Sequence, residues 1–200
     1  MKWSILVCGL LNRFPQDVMA QLRHQTAGHD DIEVLAFYDN KKRPVGAKRN
    51  LLLSAARGEY ISFVDDDDRL SDTYVSRIYG LLGQADVIVF GHDAHLIREN
   101  VLHRCRYSIK FRERKLEAVV DPTTGDTMVE DGRLVMAYAG PPAHTHVWRS
   151  TIAKGVLFPM KNWQEDVAWC DVMVRRVQSE VIVEDTLYFY LMDSEKSETR

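Results

Sequence analysis

Apolar and polar positions along the first half of the chain follow two alternating periods. Residues 3–8 form an apolar run, the pattern of a strand covered on both faces. Residues 15–25 follow as a helix, with Val18 and Leu22 at helical spacing. Residues 32–38 give a second strand, closed by the turn pair Asp39-Asn40. Residues 47–56 read as a helix with Gly58 at its C′ position, and residues 60–64 as a third strand. That strand runs straight into Asp65-Asp66-Asp67-Asp68. Ser71 is placed to cap a helix in which Val75, Ile78 and Leu82 share a face, with Gly83 as its stop, and residues 86–90 form a further strand. Strands alternating with helices predict the α/β class, with a mixed, mostly parallel sheet flanked by helices.

Beyond residue 92 the pattern loses regularity. Residues 94–139 read as short strand pieces separated by turns such as Asp121-Pro122-Thr123-Thr124-Gly125, and Pro141-Pro142 breaks the chain. Residues 146–149 read as extended and residues 188–191 as a last aromatic strand. Between them, residues 166–178 read as a helix with Val167, Cys170, Val174 and Val177 on one side. Nothing marks a domain boundary, so the expectation is a single domain over 1–200.

Composition narrows the class. The 200 residues are 46% hydrophobic and 28% charged, as in a soluble globular protein. A net charge of −3 gives no global pull toward nucleic acid or an anionic membrane. Cys8, Cys105 and Cys170 form neither a CxxC pair nor a disulfide framework, which points to a reducing compartment. The apolar start lacks a small-residue cleavage site and is interrupted by Asn12-Arg13, so it reads as a strand and not as a signal peptide. No stretch approaches the ~20 apolar residues that span a bilayer. The expected location is the cytoplasm.

The acidic run carries the candidate chemistry. In an extended chain Asp65 and Asp67 would share one face and Asp66 and Asp68 the other. Carboxylates this close repel unless a cation neutralises them, and hard oxygen ligands suit Mg²⁺ or Mn²⁺. The C-terminal edge of a parallel sheet is also where α/β folds bind ligands. The competing reading is a solvated acidic turn that caps the next helix.

The run does not stand alone. Arg43-Pro44-Val45-Gly46-Ala47-Lys48-Arg49-Asn50 precedes it, followed by Ala55-Ala56-Arg57-Gly58-Glu59-Tyr60-Ile61-Ser62-Phe63-Val64. Together with the acids, these segments resemble the core signature of family 2 glycosyltransferases. Asn12-Arg13 after the first strand, Asp39 after the second, Phe158-Pro159, Glu165-Asp166-Val167, and Leu187-Tyr188-Phe189-Tyr190 with Ser197 beyond match further elements in order. Residues 94–139 match nothing specific. Gly9-Leu10-Leu11 stands where the family usually has Pro-Thr-Tyr, and Asn40-Lys41-Lys42 stands where Gly and Ser are common.

The resemblance implies a GT-A fold and transfer of a sugar, with inversion, from a nucleoside-diphosphate sugar to an acceptor hydroxyl. UDP-sugars are the preferred donors, and Mn²⁺ or Mg²⁺ stabilises the diphosphate leaving group. Residues 1–92 become the nucleotide-sugar half and residues 93–200 the acceptor half. Asp67 is implied as the main metal ligand, with Asp65 facing the ribose or the metal shell. Asp39 would bind the base, and Lys48 or Arg49 would lie near the diphosphate or, on the competing reading, on a solvated helix face. Asn12 and Asp66 join the nucleotide-sugar set, with Asp66 and Asp68 also capping and supporting. Asp166 is the implied general base, with Glu165 capping the helix, or the reverse. His144 and His146, two apart, would share a strand face, and His146 is a candidate metal ligand. Trp163 would wall the acceptor site or join the core. Arg98, Arg104, Arg106, Lys110, Arg112, Arg114 and Lys115, interleaved with Tyr107 and Phe111, would hold an anionic acceptor or form a solubilising face. Acceptors in view are glycan, lipid and hydroxymethylated DNA. A non-catalytic nucleotide-sugar module and a nucleotidyltransferase of similar topology stay open beside this reading.

Overall fold

The computed structural model of the protein describes residues 1–11 and 16–192. In chain order the elements are β1 (Trp3–Leu10), α1 (Gln16–Thr26), β2 (Ile32–Asp39), α2 (Val45–Ala55), β3 (Tyr60–Asp65), β4 (Arg69–Leu70), α3 (Tyr74–Tyr79), β5 (Val87–Leu96), β6 (Val101–Tyr107), β7 (Lys115–Ala118), β8 (Val129–Glu130), β9 (Arg133–Gly140), β10 (Val147–Arg149), α4 (Ser150–Ala153), α5 (Glu165–Met173) and β11 (Glu180–Met192). No helix among the described residues is long and apolar enough to cross a membrane.

One mixed sheet holds these strands, in the order β2-β1-β3-β10-β5-β6-β9-β7, with β11 along β5, β4 along β11 and β8 along β9. β1 lies parallel between β2 and β3, with Trp3 opposite Ile32 on one side and Tyr60 on the other. β5 and β11 form a second parallel pair, and β10 bridges β3 to β5 antiparallel. The alternating side chains of β1 feed two cores. Trp3, Ile5 and Val7 pack with Tyr60, Tyr74 and Ile78 under α1 and α3. Leu6 and Cys8 pack with Ile61, Phe63, Trp148 and Trp169 under α2 and α5. Each such fully buried side chain contributes about 1.5–3 kcal/mol.

Several expectations are corrected in detail. Gly58 is not a helix C′ residue, because Ala56 at the C-cap is already extended, with φ −59 and ψ 135. Glycine is needed at 58 because a Cβ there would sit 2.5 Å from the Ser4 backbone nitrogen. α3 stops at Tyr79, so Leu82 falls in the turns beyond it, and α5 stops at Met173, ahead of Val174 and Val177. The pieces expected over 94–139 are longer: β5 runs on to Leu96, and β6 and β9 pair in parallel over seven residues.

Candidate active site

Parallel pairing puts the ends of β1 and β3 on one edge, with Cys8 opposite Asp65. The acidic run does not continue extended. β3 ends at Asp65, Asp66 and Asp67 form a turn, and β4 begins at Arg69. The four carboxylates therefore leave in different directions. Asp66 accepts the Leu10 N–H at 2.9 Å, tying the turn to the end of β1. Asp68 is buried and accepts the Tyr188 hydroxyl at 2.6 Å and the Leu191 N–H at 3.0 Å, tying the turn to β11. Burial, with the charges of Asp65 and Asp67, pushes the Asp68 carboxyl well above the usual carboxylate range. Tyr188 in turn accepts the Asp65 N–H at 3.1 Å.

Asp65 faces inward onto α2 and the 143–146 turn. Its carboxylate takes the Arg49 guanidinium at 2.9 Å and lies 3.3 Å from His144 Nε2. Burial opposes the Asp65 charge, but Arg49 and then His144 outweigh it and hold the carboxyl well below its usual range. Arg49 is itself buried, and its other guanidinium nitrogen is ion-paired with buried Glu165. Burial pushes the Glu165 carboxyl up while Arg49 draws it back. Arg49 thus joins the third strand to the start of α5.

The rest of the Gly46–Asn50 segment explains how α5 is aimed. A Cβ at Gly46 would meet the Pro159 carbonyl oxygen at 1.9 Å, so only glycine allows α2 to abut this loop. Asn50 clamps the Phe158 backbone twice, accepting its N–H at 2.8 Å and donating to its carbonyl at 2.9 Å. Asn162 accepts the Val45 N–H at 3.0 Å. These bonds fix residues 158–162, and Gln164 then enters α5 in the left-handed conformation, with φ 56.

Asp166, in the first turn of α5, has a partly exposed carboxylate 3.5 Å from His144 Nδ1. His144 therefore stands between Asp65 and Asp166, one ring nitrogen toward each, and rests beside Phe63. His146 does not share its face, because residues 144–146 form a turn and not a strand. The His146 ring is fully buried, bonded to the backbone of Phe90 and Ala143 and stacked on His92. It does not reach the acids, which corrects its place among candidate metal ligands; His144 is the imidazole at the site. The cavity so formed has a volume of about 490 Å³ and is lined by Asp65, Asp66, Asp67, Arg49, His144 and Asp166 and by the aromatic rings of Trp163, Tyr107 and Tyr190.

The remaining expected residues fall around it. Lys48 is fully buried and not on a solvated face; it donates to the Gly9 carbonyl at 3.1 Å and lies 3.5 Å from Asp39 at the end of β2. Neither residue lines the cavity. Asn12 and Ser197 lie outside the described residues. Trp163 is 66% exposed, so it belongs to the cavity wall and not to the core. Arg104 pairs with Glu130, and Arg114 pairs with Asp171 at 2.6 Å. Tyr188, Asn50 and Asn162 are supporting residues to which sequence reasoning gave no role, while Asp68 has the supporting place expected of it. The signal available for Asn50 was its place directly after Arg49. Among the described residues, no group of three or more His, Cys, Asp or Glu side chains is arranged to hold a metal ion.

Comparison with known proteins agrees with this architecture. The profile of Glycosyl transferase family 2 matches residues 16–132. No curated protein matches the sequence. TarS 1-349 from S. aureus, in complex with UDP-GlcNAc, shares 15% identity and a TM-score of 0.64 over 98% of this chain and 60% of its own. The same fragment without a stated ligand gives a TM-score of 0.62 at 15% identity over 96% of this chain and 60% of that one. A197 from STIV gives a TM-score of 0.50 at 12% identity over 96% of this chain and 87% of that one. The chain thus spans about three fifths of the length of the TarS fragment. The likeness is one of fold, a GT-A-like mixed sheet flanked by helices.

Proposed function

This chain belongs to glycosyl transferase family 2, and from that premise we propose that it moves a sugar from a nucleoside-diphosphate sugar to an acceptor hydroxyl with inversion. One observation carries the reading. Asp166, partly open to solvent, faces the same cavity as Asp65 and Asp67, at the edge where β1 and β3 end. Inversion needs a carboxylate on the acceptor side to take the hydroxyl proton as the new bond forms, and Asp166 has that position and access. Glu165 is buried against Arg49 and acts as a support. His144 Nδ1 lies 3.5 Å from the Asp166 carboxylate. On this reading residues 1–92 make the donor half and residues 93–200 the acceptor half.

The donor set fits a divalent cation of the Mn²⁺ or Mg²⁺ type. Such ions commonly use one or two carboxylates and complete their shell with substrate phosphates and water, so a three-residue protein cage is not required. Asp67, with Asp65 beside it, would hold the ion, which when bound supplies positive charge to the diphosphate leaving group. Asp39, paired with buried Lys48, stands at the end of β2 for the base. UDP-sugars are the first donors to test, since TarS 1-349 of S. aureus has been crystallised with UDP-GlcNAc and with UDP.

A thermal-shift screen of nucleotide sugars with Mn²⁺ tests the proposal. A donor at 100 times its Kd adds about 2.7 kcal/mol to native stability, a readily measured rise in Tm. The expected result is a rise with one UDP-sugar that chelator or Asp67→Ala removes. No shift with any nucleotide sugar, with or without cation, sinks the reading. A shift indifferent to cation sinks the metal role alone.

A further inference from the structure

The loop ahead of α5 buries one large side chain and exposes three. Phe158 packs into the core under α2 and α5. Leu157 is 71% exposed, Met160 69% and Trp163 66%. These are the three most exposed large apolar side chains among the described residues, and all fall within residues 157–163. An apolar side chain exposed singly is ordinary, but a cluster marks a contact surface. The backbone beneath them is fastened to α2. Asn50 clamps Phe158, Asn162 accepts the Val45 N–H, and the Lys161 carbonyl accepts the Gly46 N–H at 3.2 Å. Side chains on such a fixed backbone lose less entropy when a partner covers them.

Charge on the same side has one sign. Residues 40–58, which hold α2, contain no Asp or Glu, and neither do residues 132–164. Both stretches abut at the loop, and they expose Lys42, Arg43, Lys154 and Lys161 in a chain whose net charge is −3. The acids that reach α2 from elsewhere, Glu33, Asp39 and Glu165, are buried and ion-paired with Arg57, Lys48 and Arg49.

We propose that residues 157–163, with the neighbouring start of α2, dock the protein on the surface of an anionic lipid bilayer. Leu157, Met160 and Trp163 enter the headgroup layer, and the cations meet the lipid phosphates. Apolar side chains beside lysine and arginine are what such an interface takes up, and an indole suits the boundary between its wet and dry layers. A nucleic acid is a poorer fit, because Leu157 and Met160 offer its bases no ring to stack on. A second copy of this face would set cations against cations. Trp163 also lines the cavity, so docking brings that wall of the cavity to the bilayer surface. The surface stands apart from the reaction: none of Leu157, Met160 and Lys161 lines the cavity.

Tryptophan fluorescence gives a direct test on the unaltered chain. Of the four tryptophans only Trp163 is exposed, since Trp3, Trp148 and Trp169 are buried. Vesicles of phosphatidylcholine mixed with phosphatidylglycerol are the probe, with phosphatidylcholine alone as the control. The expected result is cosedimentation with the anionic vesicles that weakens as salt is raised. The Trp163 emission should move to the blue and lose its quenching by acrylamide. Leu157→Ser and Met160→Ser, at positions too exposed to matter to the core, should each weaken binding about fivefold or more. Lys161→Ser should weaken it about fivefold. Val129→Ser, 63% exposed on the outer sheet, should change nothing. Absence of binding to anionic vesicles overturns the proposal, as does equal binding to phosphatidylcholine alone. So does vesicle binding that leaves Trp163 open to acrylamide or that both serine variants retain in full. Protection of Trp163 by an oligonucleotide but not by vesicles would make this a nucleic-acid surface, and a dimer dissociated by Leu157→Ser would make it a subunit contact. Donor binding, read separately by thermal shift, keeps this reading apart from the transferase one, and neither outcome bears on the other.

Discussion

Two buried polar clusters occupy opposite ends of the same strands. At the start of β1 and β2, the Ser4 hydroxyl donates to Glu33 at 2.6 Å and accepts the Gly58 N–H at 2.7 Å. Glu33 also takes the Arg57 backbone N–H at 2.6 Å and the Arg57 guanidinium at 2.8 Å. At the far ends of β1, β2 and β3 lie Asp39, Arg49, Asp65 and Glu165. There Arg49 Nε and Glu165 Oε2 have no hydrogen-bond partner among the described residues, whereas Asp39 Oδ1 faces the Lys48 ammonium at 3.5 Å. No atom of Ser4 or Glu33 is left in that way. Leaving a buried polar atom unpaired costs about 1–3 kcal/mol, so a fold tolerates it only where something else is gained. The first cluster fastens the turn after α2 to the sheet. The second carries that cost at the site proposed above for a charged donor.

The largest way to break this contrast is at the acid that faces the cavity. Asp166→Asn keeps the shape and removes the base, so transfer should fall about 10²- to 10⁴-fold. The donor-induced Tm shift should stay, because the proposal gives Asp166 to the acceptor and not to the donor. Transfer near the wild-type rate, measured as acceptor-dependent UDP release, would remove Asp166 from the role. Next comes Arg49→Met, which leaves Asp65 and Glu165 buried without their cation. Breaking a buried pair from one side costs about 3–5 kcal/mol, here read as a lower urea midpoint. Adding Glu165→Gln should recover part of that loss, and no recovery would show that Arg49 acts through packing on Phe158 alone.

Half of this contrast could be read in the sequence. The apolar runs of β1 and β3 and the helix patterns between them located the edge where the acids gather, because buried parallel strands read as short continuous apolar runs between helical periods. The division among the four aspartates was not readable. Asp65, Asp66 and Asp68 are chemically identical, yet Arg49, the Leu10 N–H and Tyr188 each claim a different one. Those partners come from residues far away in the chain, and pattern within a window cannot see them. Lys48 and Arg49 likewise look like a solvated helix face, and only the approach of Asp39 and Glu165 buries them. His144 and His146 were read with a strand's period, and the turn at 144–146 sends their rings apart. The outer strands β6 and β9 pair in parallel across a long excursion and are half-exposed, so neither period stands out.

A smaller effect sharpens the contrast from the structural side. Ser4→Ala removes the hydroxyl that bridges Glu33 to the Gly58 N–H and leaves that N–H buried. The expected loss is about 1–3 kcal/mol in urea unfolding. Donor affinity should not change, since the cluster lies at the opposite end of the strands from the cavity. A loss of donor binding at unchanged stability would mean that the two ends of the sheet are coupled and that the division drawn here fails.

The smallest expected effect is a pH dependence. Burial opposes the Glu33 charge, but the Ser4 hydroxyl and the Arg57 N–H and guanidinium outweigh it, so the native carboxyl lies below its usual value. In the unfolded chain a glutamate titrates near ~4.3. A carboxyl whose native pKa is depressed binds fewer protons in the folded state. Its contribution is therefore fully present above the unfolded value and is lost as pH falls through the native one. Glu33→Gln has no such titration. Its deficit against the wild-type protein should be constant at neutral pH and should shrink below about pH 4. Urea midpoints for both proteins at neutral and acid pH measure this. A deficit that persists undiminished into strong acid would mean that the shape of the Glu33 side chain, and not its charge, holds Ser4 and Arg57 together.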